Sequence, residues 1–294
     1  MTSPTTIGSR TAPTEFVAAS GVSFAYRRFG TPSASLAPLV FIHHFMGTLD
    51  THDTAVTDTF AREREVILFD NTGVGRSSGA APTRIHDMAA DAASFIRALG
   101  MTNVDVLGFS MGGEVAQQLA LDNPDLVRRL VLVGTGPRGG QGMAALAPDV
   151  APLFEVQLDI QERMWLPIFF SPSQASQASG ESYVERIRAR TEDRDIPVSA
   201  ATIAAHAAAF AEWGAPGPNN LDYLAGINRP ALVVNGSNDI IIPTINSYVL
   251  QQHLPDAELV IYPDSNHGSH FQYPDRFTRH VIDFLARWDG DRPS

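Results

Sequence analysis

The sequence predicts an α/β protein built on a mostly parallel sheet with helices on both faces. Strand-like apolar runs alternate with segments of helical spacing up to residue 135, and the alternation resumes after residue 220. Between these two regions the chain is mostly helical in spacing and has no convincing buried strand. Because alternating strands and helices build parallel sheets, the intervening stretch is expected to form a helical cap inserted over one end of the sheet.

The predicted strands are short apolar runs that end in polar residues or glycine. The first two, over 16–19 and 22–29, are expected to form a hairpin through Gly21. Six more strands are predicted at 38–45, 65–70, 104–107, 130–133, 231–235 and 258–262. Apolar residues recur at helical spacing over 83–99, 112–123 and 275–288.

Glycine, proline and polar runs set the expected domain boundaries. Residues 1–15 are polar, lack the apolar run of a signal peptide and are expected to form a flexible N-terminal arm. The core domain is predicted over 16–135 and 221–294, and the cap over 136–220. Within the cap, helical segments between residues 144 and 211 are broken by four prolines, which are Pro148, Pro167, Pro172 and Pro197.

Composition narrows the function classes. The formal net charge of -11 disfavours binding to nucleic acid or to anionic membranes. The absence of cysteine excludes disulfides, thiolate catalysis and cysteine-based zinc sites. No apolar run approaches the roughly 20 residues that span a bilayer. We therefore expect a cytoplasmic protein that acts on a small molecule, with its oligomeric state left open.

One serine lies where a predicted strand meets a predicted helix, in the stretch VDVLGFSMGGEVAQQLA. A tight turn there would point the hydroxyl of Ser110 outward, and the small residues Gly108 and Gly112 would let neighbouring backbone pack closely. A serine in this place could also simply cap the helix. As a nucleophile it would need a base, normally a histidine held by a carboxylate.

His267 is the candidate base, because it follows the last predicted strand in a small polar loop. His270 is a weaker candidate in the same loop, and His43 and His44 also follow a strand. The other five histidines are interpreted as surface or core residues; they are His52, His86, His206, His253 and His280.

Asp239 is the candidate carboxylate, because it directly follows the strand over 231–235. Asp70 is interpreted as a residue that fixes its own loop, and Asp264 is too near His267 in sequence to orient it. The chain order Ser110, Asp239, His267 is the order of the α/β-hydrolase fold rather than that of the serine proteases.

Five ordered motifs, IHHFMG, FDNTGVGRSSG, GFSMGG, NGSND and SNHG, resemble the α/β-hydrolase superfamily from about residue 16 to residue 288. The likeness is to small bacterial esterases, lactonases and cofactor-free haloperoxidases or perhydrolases. It implies an eight-stranded sheet, a helical cap and the triad Ser110, Asp239 and His267. It also implies that the backbone N–H groups of Phe45 and Met111 form the oxyanion hole.

One motif departs from the family pattern, which commonly has His-Gly after the third strand. Here the pair is His43-His44. A side chain at His44 limits the backbone angles that glycine would allow, so the oxyanion hole is expected to differ in shape. His44 either reaches into the pocket or packs under the loop.

These features predict a serine hydrolase that cleaves a carboxylic ester or lactone of a small, largely apolar substrate through an acyl-enzyme, with no metal or cofactor. In the cap, residues 164–170 carry an aromatic and apolar cluster that either lines the pocket or buries the cap. Three alternatives remain: perhydrolase or haloperoxidase activity on the same triad, C–C bond hydrolysis, and a ligand receptor or sensor with slow residual hydrolysis. A serine at position 110 excludes an aspartate nucleophile.

Overall fold

A computed structural model of the protein describes residues 8–33, 35–148, 150–154 and 161–287. It contains an eight-stranded sheet in the order β1-β2-β4-β3-β5-β6-β7-β8. The strands are β1 Glu15–Ala19, β2 Val22–Gly30, β3 Leu39–Ile42, β4 Glu65–Phe69, β5 Val104–Phe109, β6 Val127–Val133, β7 Ala231–Gly236 and β8 Ala257–Tyr262. Each of the eight overlaps a strand predicted from sequence, and the limits differ by at most three residues.

The sheet is mostly parallel, as predicted. Strands β1 and β2 form an antiparallel hairpin whose turn contains Ser20 and Gly21, both at positive φ, and β2 pairs antiparallel with β4. Every other neighbouring pair is parallel. The residues of β3, β4 and β5 are all buried, as expected for strands covered by helices on both faces.

The helices outside the inserted stretch include the three predicted over 83–99, 112–123 and 275–288. They are α1 Thr54–Ala61, α2 Ile85–Ala98, α3 Met111–Asp122, α7 Ile245–His253, α8 Ser269–Gln272 and α9 Pro274–Ala286. Helix α9 was predicted to run to Trp288, which lies outside the described residues.

The third strand is shorter than predicted. Strand β3 ends at Ile42, whereas the apolar run suggested a strand over 38–45. Beyond Ile42 the chain turns, because the N–H of Gly47 donates to the carbonyl of His44 (2.9 Å) and Met46 adopts a φ of 61°. Phe45 therefore lies in a turn beyond the sheet edge rather than inside a strand.

Three helices lie between β6 and β7, within the stretch predicted as the cap: α4 Trp165–Phe169, α5 Gln174–Arg188 and α6 Ala200–Gly214. Among the described residues of 136–220 there is no strand. Helix α5 is tied to the core where the guanidinium of Arg186 donates to both oxygens of Asp53 (2.7 Å each). Helix α6 is tied to the core where the hydroxyl of Thr202 donates to the carbonyl of Gly73 (2.7 Å).

The described part of the N-terminal arm makes buried contacts. Of the expected flexible arm over 1–15, Glu15 already belongs to β1, and Ala12 is fully buried. One nitrogen of the Arg190 guanidinium donates to the carbonyls of Ser9, Arg10 and Ala12 at 2.9–3.1 Å. A buried arginine thus contacts the backbone of the arm, whose flexibility stays a prediction; residues 1–7 lie outside the described residues.

No helix in the described ranges is long and apolar enough to cross a membrane.

Candidate active site

Ser110 occupies the turn between β5 and α3 with an unusual backbone. Its φ of 57° and ψ of -124° lie where residues with a side chain are rarely found. The turn is fixed from both sides: the N–H of Ser110 donates to the carbonyl of Val133 (2.8 Å), and its carbonyl accepts from the N–H of Gly113 (2.8 Å). The sheet and the helix thus hold the serine at the carboxyl end of β5, where α/β sheets bind ligands.

The two glycines that bracket the serine are required by close backbone packing. A Cβ at Gly108 would lie 2.3 Å from the carbonyl oxygen of Gly112. A Cβ at Gly112 would lie 2.2 Å from the carbonyl oxygen of Ile42 in β3. Both distances are far shorter than real carbon–oxygen contacts, so the turn closes only with glycine at these positions, as the sequence predicts.

His267 and Asp239, the predicted base and its carboxylate, are in direct contact. The distance between His267 Nδ1 and Asp239 Oδ2 is 2.8 Å, and both side chains are buried. The other oxygen of Asp239 accepts from the N–H groups of Ile241 (2.9 Å) and Ile242 (3.0 Å). Because the carboxylate can only accept, Nδ1 carries the hydrogen and Nε2 keeps its lone pair, which is the form needed for a base.

Ser110 and His267 line the same cavity, which has a volume of about 410 Å³. The rest of its wall is almost entirely apolar, comprising His44, Phe45, Met46, Ala144, Ala145, Leu146, Trp165, Ile168, Phe169, Ile203, Ala207, Phe210, Ala211 and Ile241. No arginine or carboxylate is among these wall residues within the described ranges. A cavity of this size holds a small organic molecule and favours an uncharged, apolar one.

A second cavity of about 310 Å³ lies beside the first and shares Met46, Trp165 and Ile203 with it. Its wall contains charged side chains, including Asp50 and Arg194. The two cavities are therefore neighbours that share three apolar side chains. Of the two, only the second has arginine and carboxylate side chains among the described residues of its wall.

The residues expected to form the oxyanion hole lie on two sides of the serine. Met111 is the first residue of α3, and the first N–H groups of a helix have no carbonyl partner within it. Those N–H groups also sit at the positive end of the helix dipole, which favours negative charge. Phe45 contributes to the cavity wall from the turn after β3.

His44 occupies the position of the family's glycine without backbone strain. The left-handed residue of this turn is Met46, with a φ of 61°. The Nδ1–H of His44 donates to the carbonyl of Phe45 (2.8 Å), and its ring packs edge-on against Trp165 and Phe169, with centroids 4.8 and 5.4 Å apart. Burial lowers the pKa of His44 to about 3, so the ring is neutral. His44 both lines the cavity and supports the loop, so the two interpretations hold together.

The other carboxylates singled out in the sequence have separate roles. Asp70 fixes its loop as predicted, since its two oxygens accept from the N–H groups of Leu49 (3.0 Å) and Arg76 (3.1 Å). Asp264 accepts from two serine hydroxyls rather than from an imidazole. No group of three or more histidine, aspartate or glutamate side chains in the described parts of the chain could hold a metal ion.

The remaining loop histidine, His270, is buried behind the site. Its ring packs against Phe109 and Phe271, with centroids 4.4 and 3.7 Å away. Burial lowers its pKa well below the ordinary value. Asp239 contacts His267 and not His270, which agrees with the choice made from sequence.

Some residues of the aromatic cluster at 164–170 line the cavity, and others pack against α5. Trp165 and Phe169 stack on each other, with centroids 4.9 Å apart, and line the cavity that contains Ser110. Leu166 and Phe170 instead lie against Gly180 of α5. The wall residues from α6 and from 144–146 were not predicted, because alanine-rich helical spacing does not reveal which face a helix presents to a cavity.

The family model for the alpha/beta hydrolase fold matches residues 37–274 of this chain, which is most of its length. The chain therefore belongs to the α/β-hydrolase fold family, as the motifs and the sheet order indicated. Among its relatives are proteins named as hydrolases and proteins named as putative non-heme bromoperoxidases.

Individual relatives differ in the substrates that their names give. An alpha/beta hydrolase fold protein from Chitinophaga pinensis is 40% identical, with a TM-score of 0.89, and the match covers 96% of this chain and 100% of that one. Est816, described as an N-acyl homoserine lactone degrading enzyme, is 25% identical with a TM-score of 0.72 over 92% and 100% of the two chains. A 2-hydroxy-6-oxononadienedioate/2-hydroxy-6-oxononatrienedioate hydrolase of Burkholderia vietnamiensis is 27% identical over 78% and 80%.

Proposed function

We propose that this protein is a serine hydrolase that cleaves carboxylic esters or lactones with an apolar acyl part, through an acyl-enzyme. The observation that carries this proposal is that Ser110 and the Asp239-held His267 line one apolar cavity. The strained serine turn and the fixed histidine tautomer both suit nucleophilic attack on a carbonyl carbon.

The proposed reaction has two halves. The Ser110 hydroxyl attacks the carbonyl carbon while His267 Nε2 accepts its proton, and the proton then passes to the departing alcohol. A water molecule, deprotonated by His267, attacks the acyl-enzyme and releases the acid. Asp239 holds the ring tautomer and stabilises the transient imidazolium.

The oxyanion that forms in each half is proposed to accept from the N–H groups of Met111 and Phe45. A single donor of this kind is worth about 3 kcal/mol in a comparable site. The N-terminal end of α3, where Met111 lies, adds the favourable helix dipole.

The cavity chemistry favours an uncharged acyl group over the dicarboxylates named for some relatives. A dioate carries two carboxylates, and burying them without a cation is costly. The wall of the catalytic cavity, as far as the chain is described, offers no arginine to pair with them.

The test begins with covalent labelling. Incubation with a small fluorophosphonate, followed by mass spectrometry of peptides, should place the label on Ser110 and on no other serine. A panel of p-nitrophenyl esters from acetyl to decanoyl then measures the acyl preference, and we expect medium chains to be cleaved best.

The Ser110→Ala variant should lose labelling and at least about 10³-fold of its ester turnover, because the nucleophile is gone. Near-normal turnover in this variant would reject the proposal. Assays for peracid formation from acetate and hydrogen peroxide, and for C–C bond cleavage, distinguish the alternative reactions. A wild-type protein that the fluorophosphonate fails to label would instead favour a receptor.

A further inference from the structure

The loop that carries His267 is hydrogen-bonded to the inserted helical segment on both sides of the histidine. We call residues 264–268 the histidine loop and residues 169–173 the α4–α5 junction. The side-chain amide of Asn266 donates to the carbonyl of Phe170 (3.1 Å), and the N–H of Gly268 donates to the carbonyl of Phe169 (2.9 Å). His267 therefore lies between two residues that are both bound to the α4–α5 junction.

A second set of contacts joins the same two segments. The carboxylate of Asp264 accepts from the hydroxyls of Ser171 and Ser173, each at 2.6 Å. These two hydrogen bonds lower the pKa of Asp264, so the carboxylate stays charged and the bonds stay charge-assisted.

The contact between loop and junction is close-packed as well as polar. Asn266 is buried, and a Cβ at Gly268 would lie 2.4 Å from Cβ of Phe169. No gap therefore separates α4 from the histidine loop. A shift of α4 has to be followed by the loop, because native packing leaves no space to absorb the movement.

Helix α4 also forms part of the catalytic cavity, through Trp165, Ile168 and Phe169. The side chains of this short helix thus line the cavity, while the carbonyls of Phe169 and Phe170 at its end accept from the histidine loop. We propose that Asn266 is a positioning residue that couples α4 to His267, so that an acyl chain packed on α4 raises the turnover number. The proposal rests on the function proposed above, with His267 as the base.

The test compares Asn266→Asp with a matched control. Aspartate keeps the size of the side chain but replaces the amide donor with an acceptor, which repels the Phe170 carbonyl. Asn228→Asp makes the same change at an exposed residue whose amide contacts only the carbonyl of Gly226 (3.4 Å). The rate of Ser110 labelling by a small fluorophosphonate reports activation of the serine without any acyl chain.

We expect Asn266→Asp to reduce the labelling rate and kcat by about 10- to 100-fold, because a misplacement of about 1 Å has effects of this size. In the wild-type enzyme kcat should rise from acetyl to hexanoyl esters. In Asn266→Asp this rise in kcat should disappear while KM still falls with chain length. The Asn228→Asp variant should match the wild type.

Labelling and kcat within twofold of the wild type, or a change confined to KM, would overturn the coupling and leave the proposed function intact. Failure of the wild-type enzyme itself to label at Ser110 would overturn both. Thermal unfolding of each variant shows whether it folds. If Asn266→Asp does not fold, Ser171→Ala replaces it, with Ser182→Ala as its control, because the Ser182 hydroxyl contacts only the Ala178 carbonyl of its own helix.

For Ser171→Ala we expect a two- to tenfold lower kcat, since one of the two hydroxyl bonds to the Asp264 carboxylate is lost while the bonds from Ser173, Asn266 and Gly268 remain. A kcat equal to that of Ser182→Ala would overturn the coupling by this route.

Discussion

The serine turn and the histidine loop lie at the same edge of the sheet, but different parts of the molecule hold them. Backbone atoms of the core fix the serine turn, through Gly112 against Ile42 and through the bond from Ser110 to Val133. The histidine loop is instead bound to the inserted segment, through Asn266 and Gly268. The proposed nucleophile is therefore held by the sheet, whereas the position of the proposed base depends on the helices that also line the pocket.

This difference has a consequence for how the site tolerates change. A rigid backbone turn accommodates almost no new atoms, so substitutions there should affect both folding and chemistry. A loop held by side-chain hydrogen bonds can shift without unfolding the sheet, so substitutions there should mainly affect catalysis. Asp239 combines both kinds of contact. Backbone N–H groups donate to one of its oxygens, and the imidazole of His267 contacts the other.

The largest effect on activity is expected for Asp239→Asn. The amide nitrogen would donate to Nδ1 and leave the hydrogen on Nε2, so that His267 could no longer accept a proton. We expect kcat to fall by about 10³- to 10⁴-fold with little change in KM. Steady-state kinetics on the best p-nitrophenyl ester measures this.

The matched control is Asp125→Asn, at a fully exposed side chain, which should keep wild-type kinetics. A loss below tenfold in Asp239→Asn would show that the carboxylate does not set the tautomer of the base.

The next prediction concerns the serine turn, which backbone atoms of the core hold in place. In Gly112→Ala the new Cβ would meet the Ile42 carbonyl at 2.2 Å, and backbone on both sides prevents relief. We expect a loss of about 3 kcal/mol in the free energy of unfolding, together with loss of Ser110 labelling. Urea denaturation followed by circular dichroism gives the first quantity.

Gly226→Ala serves as its control, since the nearest atom to its new Cβ is the terminal Cδ1 of Leu121, which can move. Equal stability of the two variants would contradict the idea that the turn is closed by backbone packing.

The smallest effect concerns acid stability on the side of the inserted segment. His206 of α6 is buried, neither ring nitrogen has a partner in the described part of the chain, and burial lowers its pKa to about 4. An unfolded histidine has a pKa of about 6.5, so the unfolded state binds a proton first as the pH falls. The contribution of neutral His206 to the free energy of unfolding is fully present above pH 6.5 and is lost as the pH falls from about 6.5 to about 4.

His206→Leu removes this proton uptake. Between pH 7.5 and pH 5 it should lose about 2 kcal/mol less of its unfolding free energy than the wild type does. Chemical denaturation at the two pH values gives the difference, and His86→Leu at an exposed position should behave as the wild type does. Identical losses in His206→Leu and the wild type would show that this histidine is not buried in solution.

Much of this arrangement could be predicted from local sequence. The serine turn was identified because its glycines reflect a local steric requirement, and the distances at Gly108 and Gly112 bear this out. The predicted end of β3 was too late. The apolar run continues past Ile42 because Phe45 faces an apolar cavity and does not pair with a neighbouring strand. The backbone contacts of the N-terminal arm could not be predicted, because their partner, Arg190, is remote in sequence and lies in the inserted segment.

The sequence by itself determined the fold class, the family and the contact between His267 and Asp239, because each depends on periodicity or on short motifs placed at strand ends. Only the tertiary structure decided which side chains form the cavity wall and that Asn266 and Asp264 bind the α4–α5 junction. Those contacts join residues about a hundred positions apart. Their existence depends on how the inserted helices pack on the sheet, which no local pattern of residues encodes.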